Sequence, residues 1–255
     1  MKSLERPSPK GKKVSLFVTC LINRIFPETG FSVVKILEHC GVEVEFLTRQ
    51  TCCGQPAYNG GYHKEAKSVA REFLKLFKDA EVIVTPSGSC AAMLRHEYLN
   101  LFEKDSRWSP LARQISQRTW ELSEYLVDGL GVQDLNSELA SPQNFAIHDS
   151  CHGLRLLNLG SQVRSLISNI KNATLVDLME SDHCCGFGGL FSIKMADVSG
   201  AILRKKIASI NETEADTILV GDSSCLMHIN GGLEKHGLSK RVCHFADVLA
   251  ESLPV

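Results

Sequence analysis

The chain has 255 residues, of which 44% are hydrophobic and 22% charged, and its formal net charge is −1. This composition is typical of a folded protein with a sizeable core and gives no electrostatic reason to expect a nucleic-acid partner. No run approaches the roughly 20 apolar residues of a membrane-spanning helix, and the polar first thirteen residues lack the apolar segment of a signal peptide. We therefore expect a cytoplasmic location, where thiols stay reduced and ten cysteines indicate metal or redox chemistry rather than disulfides.

Strand and helix patterns alternate after a polar tail at 1–13, which we expect to be disordered. Short apolar or β-branched runs predict buried strands, and apolar residues at every third or fourth position predict amphipathic helices. In chain order the patterns predict a strand at 14–18, a helix at 30–39, a strand at 42–46, a helix at 66–77 and a strand at 82–84. Cys20, the Cys52-Cys53 doublet and Cys90 each follow a different strand.

The second half repeats this order. It predicts strands at 145–148, 174–178 and 217–220, and helices at 163–170 and around 203–210; segments 120–126 and 243–249 also align. The single cysteine precedes its doublet by 32 residues in the first half (20 to 52) and by 33 in the second (151 to 184). We therefore predict an α/β fold with two pseudo-symmetric parallel-sheet β-α-β-α-β-α units, 14–128 and 144–255, joined by a linker near 129–143.

Parallel sheets bind ligands beyond the carboxyl ends of their strands, where three cysteine-bearing loops of each half converge. Four thiolates suit an iron–sulfur cluster or a zinc ion, and the glycines after the doublets allow close backbone approach to a cluster. Because the chain lacks the compact C-x2-C knuckles of structural zinc sites, we favour iron–sulfur, with zinc as the alternative. The candidate cofactor and metal ligands are Cys20, Cys52, Cys53, Cys90, Cys151, Cys184, Cys185 and Cys225.

Other residues near these cysteines have two interpretations. Five basic or histidine side chains either act on the second site or simply pack or lie exposed, namely His148, His152, Arg155, His183 and His228. Cys40 and Cys243 have no counterpart in the other half and are expected in the core. Lys205 and Lys206 are expected on a solvated face. Nucleotide and esterase motifs are absent from the sequence, so the clusters would pass electrons between partners.

The two CCG doublets, together with segments 148–152, 184–195 and 223–229, closely resemble the CCG cysteine-rich domain family. The resemblance is strongest to its lactate-utilisation A branch and weaker to the glycolate oxidase iron–sulfur subunit and the cysteine-rich subunit of heterodisulfide reductase. It implies a role in oxidising L-lactate to pyruvate, as an oxidoreductase subunit rather than a self-sufficient enzyme. It also implies two partner proteins, one with ferredoxin-like clusters, and iron held by the eight cysteines.

One departure from the heterodisulfide reductase pattern concerns the end of each half. That pattern has C-x-x-C and five cysteines holding a noncubane cluster, whereas here Met93 and His228 stand at the fifth position. A plain four-thiolate cluster of the 4Fe–4S kind, in both halves or in one, is then favoured. The alternatives are a zinc- or cluster-stabilised scaffold and a thiol/disulfide redox subunit. The residues do not distinguish lactate from glycolate or another 2-hydroxy acid, and they do not identify the electron acceptor.

Overall fold

The computed structural model describes residues 6–254, and its framework is a pair of four-stranded parallel sheets. The first sheet comprises β1 (Val14–Leu16), β2 (Val44–Glu45), β3 (Val82–Thr85) and β4 (Thr119–Glu121). The second comprises β5 (Glu138–His148), β6 (Lys171–Leu175), β7 (Thr217–Val220) and β8 (Arg241–His244). The spatial order is β2-β1-β3-β4 in the first sheet and β6-β5-β7-β8 in the second, so the two halves have the same topology.

Helices connect successive strands and cover the sheets. In the first half they are α1 (Cys20–Ile25), α2 (Pro27–His39), α3 (Gln55–Asn59), α4 (His63–Leu76), α5 (Gly88–Ala92), α6 (Tyr98–Leu101), α7 (Ser109–Arg118) and α8 (Leu122–Glu124). In the second half they are α9 (Cys151–Leu157), α10 (Gln162–Ser168), α11 (Phe191–Lys194), α12 (Ala196–Glu212), α13 (Ser223–Lys235) and α14 (Phe245–Ser252). Two π-helical stretches, Met93–Glu97 and Tyr125–Leu130, extend α5 and α8. Within residues 6–254, none of these helices has the length and apolar character needed to cross a membrane.

The predicted α/β fold with two similar parallel-sheet halves is confirmed. Each sheet also has a fourth strand, β4 or β8, which the three-strand interpretation did not include. Part of the predicted linker is strand, because β5 begins at Glu138, which pairs with Lys171 of β6 before a bulge. The unit boundaries 14–128 and 144–255 stay a prediction.

The amino-terminal segment packs against the first half from Arg6 onward, while residues 1–5 of the predicted disordered tail lie outside the described residues. The Arg6 guanidinium lies over the Trp120 ring at 3.7 Å and pairs with Glu124 at 2.6 Å. Arg95 pairs with the same buried carboxylate at 2.9 Å. The two cations compensate the burial of Glu124.

A single hydrophobic cluster extends through both halves, because α2 of the first half packs against α14 of the second. Val33 and Ile36 on α2 and Leu249 on α14 are fully buried in this cluster. The helix pair is also joined by a hydrogen bond from Thr29 Oγ1 to Asp247 Oδ2 at 3.0 Å. The halves therefore share part of their core, which fixes the position of one site relative to the other.

Candidate metal centres

The strand order of each sheet reverses between its two central strands, which creates a crevice at their carboxyl ends. From β1 the chain forms β2 on one side and then β3 on the other, and β5 and β7 repeat this arrangement. Such switch points are the usual ligand sites of open parallel sheets. In the first half, Cys20 begins α1, the doublet precedes α3, and Cys90 lies on α5. The three loops therefore converge at one sheet edge, as the sequence predicted.

The first site comprises the sulfurs of Cys20, Cys52, Cys53 and Cys90. Cys53 Sγ lies 3.4 Å from Cys90 Sγ, and the backbone N–H of Gly54 donates to Cys52 Sγ at 3.4 Å. Hydrogen bonds from the Cys20 and Cys53 thiols lower the pKa of Cys52 to about 3, and donating to Cys52 raises the pKa of Cys20. The lowered pKa favours the thiolate form of Cys52, which is a ready ligand for a soft metal.

The second site comprises the sulfurs of Cys151, Cys184, Cys185 and Cys225 in the same arrangement. Cys185 Sγ lies 3.2 Å from Cys225 Sγ, and Gly186 N–H donates to Cys184 Sγ at 3.3 Å. Hydrogen bonds from Cys151 and Cys185 lower the pKa of Cys184 to about 2, and donating to Cys184 raises the pKa of Cys151. All eight predicted ligands are thus gathered, four in each half.

The glycine after each doublet is required by the backbone. Gly54 has φ +89° and Gly186 has φ +97°, a conformation that L side chains rarely adopt. A Cβ on Gly186 would also lie 2.7 Å from the backbone oxygen of Ser199 on α12. In this turn the backbone N–H of the glycine points at the Sγ atom of the first cysteine of the doublet.

Asp222 joins the two turns that carry Cys90 and Cys225, a role that the sequence did not reveal. Its side chain is 1% exposed and caps α13 by accepting from the backbone N–H and the hydroxyl of Ser224. The other carboxylate oxygen accepts from Ser89 N–H at 2.8 Å and Ser87 Oγ at 3.1 Å in the first half. One carboxylate therefore holds the amino-terminal ends of α5 and α13 together.

A histidine distinguishes the second site from the first. His148, 1% exposed, places a ring nitrogen within 4.8 Å of the sulfurs of Cys185 and Cys225, a group that fits a metal ion. Its Nδ1 lies 3.1 Å from Ser181 O, whereas Nε2 is buried without a partner among residues 6–254. The Cys185 thiol and the nearby His148 ring lower the pKa of Cys225 to about 7. The first half has Phe17 at the corresponding position.

Three of the other residues considered near the second site lie at its rim. His152 Nδ1 is 3.5 Å from Cys151 Sγ. Arg155 donates to the backbone oxygen of Asp182, and His183 pairs with an exposed glutamate, so both hold the loop before the doublet. These two contacts fit positioning of the loop and do not reach the sulfurs.

The two residues at the fifth-cysteine position differ in their surroundings. Met93 is fully buried in the core of the first half. His228 packs edge-on against Phe187 at 5.7 Å, and its Nε2 lies 3.4 Å from Ser199 Oγ. Burial lowers the pKa of His228, which favours a neutral ring beside the second site.

The expectation of a solvated face is wrong for Lys206, which is 2% exposed. Its Nζ donates to the backbone oxygen of Glu180, and burial lowers its pKa. Lys206 is three residues after Leu203 on α12 and so continues the apolar side of the helix. Cys243 is in the core and Cys40 packs against it, as expected.

The two sites open towards a common gap between the halves. A cavity of about 110 Å³ borders the first site and one of about 50 Å³ borders the second. Both are lined by Gln55, Ser89, Phe187 and Asp222. Each half therefore supplies part of the wall of both cavities.

Comparison with known proteins assigns this arrangement to a family. The model of the CCG cysteine-rich domain matches residues 14–95 and 145–230. Lactate utilization protein A 2 of Bacillus cereus (strain AH820) is 44% identical over 241 residues, covering 94% of this chain and 99% of the relative. The chain belongs to the lactate utilization protein A family.

A second member of the lactate utilization protein A family also matches nearly the whole chain. Lactate utilization protein A of Geobacillus kaustophilus (strain HTA426) is 45% identical over 237 residues, covering 93% of this chain and 98% of the relative. Among solved structures, a hypothetical protein from Helicobacter pylori aligns with a TM-score of 0.63 at 13% identity, covering 99% of this chain and 51% of that one. At that identity the likeness shows the fold alone.

Proposed function

We propose that the protein is the iron–sulfur electron-transfer subunit of a complex that oxidises L-lactate to pyruvate. The observation that carries the proposal is the pair of four-sulfur sites, each assembled from three loops at a sheet switch point. The name of the 44% identical relatives supports lactate as the substrate of the complex.

The residues present fit an iron–sulfur group. Each site offers four sulfurs, and a backbone N–H of Gly54 or Gly186 already donates to one of them. Cysteine thiolates hold such clusters, and hydrogen bonds to sulfur tune their potentials. When bound, the cluster supplies reversible one-electron transfer. The residues that would hold it are Cys20, Cys52, Cys53 and Cys90 in one half and Cys151, Cys184, Cys185 and Cys225 in the other.

The proposal extends to partners, location and domain organisation. All ten cysteines are free, which fits a reducing compartment such as the cytoplasm. Lactate oxidation releases two electrons, and a subunit that only carries electrons requires a donor and an acceptor. We assign these roles to two other proteins of the system, one with ferredoxin-like clusters. The unit boundaries proposed are 14–128 and 144–255.

The deciding experiment is iron and sulfide analysis with electron paramagnetic resonance on anaerobically isolated protein. Cys53→Ala removes a ligand from the first site, Cys185→Ala removes one from the second, and Cys40→Ala is the matched control in a cysteine outside both sites. We expect each ligand variant to lose the iron and the signal of its own half, and the control to keep both. Iron content unchanged by both ligand variants contradicts the proposal.

A second candidate is a zinc-stabilised scaffold whose partners carry all the redox activity. It is favoured by the group formed by His148, Cys185 and Cys225, because zinc accepts mixed nitrogen and sulfur ligands. Colourless protein that retains stoichiometric zinc after anaerobic reconstitution supports this candidate. Brown protein that dithionite bleaches supports the electron carrier.

A further inference from the structure

A cavity of about 350 Å³ lies beside the first site, between α1 and the segment 46–52. Cys20 and Cys52 form part of its wall, so a bound molecule would contact the edge of the sulfur site. Its volume is within the range of about 300–1,000 Å³ for small-molecule sites. The cavity is distinct from the gap between the halves and has no role in the function proposed above.

Charge identifies the class of ligand. The exposed side chain of Arg24 lines the cavity and forms no ion pair or hydrogen bond with residues 6–254, and none of the lining residues is acidic. A guanidinium binds a carboxylate through two parallel hydrogen bonds. Asn23, Thr48 and Thr51 add polar side chains that suit a hydroxyl or carbonyl oxygen, and Phe46 adds an apolar surface. The lining therefore matches a small polar carboxylate.

The cavity wall is held in place before any ligand binds. Gln50 donates to Leu16 O at 2.6 Å and accepts from Val18 N–H at 3.1 Å, which fixes the 46–52 segment to the end of β1. A preformed wall reduces the entropy lost on binding.

Thr19 supplies a second, independent observation. It lines the cavity, is 4% exposed and has φ +76°, an unfavourable conformation for a β-branched residue. Its Oγ1 is buried with no hydrogen-bond partner in the described part of the chain. Strained residues and unpaired buried polar atoms are concentrated at binding and catalytic sites. Thr19 also borders the 110 Å³ cavity, so the two cavities share part of their wall.

The corresponding region of the second half is closed by internal contacts. Arg155, at the position that matches Arg24, donates to the backbone oxygen of Asp182. Asp149 forms an ion pair with Arg164 at 2.7 Å and accepts from Ser181 Oγ at 3.0 Å. The uncompensated cation is therefore a feature of the first half.

We propose that this cavity binds a small 2-hydroxy- or 2-oxocarboxylate, with the carboxylate on Arg24 and the 2-oxygen towards Asn23 and Thr48. The choice of this carboxylate class rests on the proposed function, whereas the anion site rests on the cavity itself. The assignment places the ligand next to Cys20 and Cys52 and gives the two halves different roles.

The test is anaerobic calorimetric titration of the reconstituted full chain with L-lactate and with pyruvate. We expect saturable binding that Arg24→Gln weakens by at least about tenfold, the loss expected for charge-assisted hydrogen bonds. Arg155→Gln is the matched control and should change the Kd by less than about twofold, because Arg155 lies in the other half and does not line the cavity. Absence of saturable binding, or equal weakening by the two substitutions, overturns the assignment.

Two further titrations distinguish failure of this assignment from failure of the proposed function. Propionate lacks the 2-oxygen and should bind at least about threefold more weakly than L-lactate, since the polar groups would lose a partner; equal binding refutes the hydroxycarboxylate. The same titration on iron-free protein tests the cavity without any cluster. Binding that depends on Arg24 in a protein that never takes up iron supports the cavity and rejects the electron carrier. Protein that takes up iron but shows no saturable carboxylate binding supports the electron carrier and rejects the cavity assignment.

Discussion

Asp222 offers a stringent test of how the two halves are coupled. Replacing it with alanine removes an acceptor from the backbone N–H groups of Ser89 and Ser224 and from the hydroxyls of Ser87 and Ser224. Hydrogen bonds to a charged group contribute about 1.5–3 kcal/mol each. The hydroxyls can rotate to other partners, so the two backbone groups dominate. We expect Asp222→Ala to lower the free energy of unfolding by about 3–5 kcal/mol.

The assay is urea unfolding of the full chain under reducing, metal-free conditions. Glu234→Ala is the matched control, because Glu234 is an exposed carboxylate on the same helix and its loss should cost less than about 0.5 kcal/mol. Hydrogen exchange distinguishes a bridge from a simple cap: Asp222→Ala should accelerate exchange in the first turns of both α5 and α13. A loss below about 1 kcal/mol, or faster exchange in α13 alone, would refute the reasoning.

Three further predictions concern single side chains. Phe17→Ala should cost about 3–5 kcal/mol in unfolding experiments, since the buried ring packs on Phe73 at 4.9 Å; a loss below about 1 kcal/mol contradicts this. His244 accepts a helix N–H at Nδ1, and burial lowers its pKa. Below about pH 6.5 the histidine of the unfolded chain takes up a proton before the buried one does. The free energy of unfolding should therefore fall by up to about 1.4 kcal/mol per pH unit. His244→Asn keeps the cap and should flatten this slope; an unchanged slope excludes His244 as its origin. His148→Phe copies the first half and should weaken metal binding at the second site about 10–100-fold in competition titrations, with the first site unchanged.

The sequence was sufficient to predict where the eight cysteines would meet. Parallel strands end at one sheet edge, so a cysteine placed just after each strand must reach the same crevice. The duplicated spacing then assigns four cysteines to each half. The result depends on local patterns and on a topological rule that holds for any alternating α/β chain.

Elements that depend on distant partners were not predictable in this way. β4 and β8 have only three and four residues, and they become strands by pairing with β3 and β7. Glu138 joins β5 because Lys171 provides its register partner. Such pairings are set by tertiary context rather than by intrinsic preference.

The polar residues around the sites were missed for a similar reason. Asp222 has the sequence signature of a helix cap, but its contact with Ser89 spans 133 residues. Lys206 looked solvated because a lysine usually is, although its place on α12 pointed towards the core. Arg24 and Thr19 gave no signal, because an uncompensated charge and a strained φ are properties of the folded chain alone.

The packing of α14 on α2 has a consequence for biosynthesis. Thr29 and its partner Asp247 are 218 residues apart, which at 5–20 residues per second leaves roughly 10–40 s between their emergence from the ribosome. Throughout that interval the side of α2 that α14 later covers is bare, so the nascent chain is a natural client for chaperones. A metal ion or cluster delivered before α14 has docked would meet an incompletely folded protein, and loading should therefore follow translation.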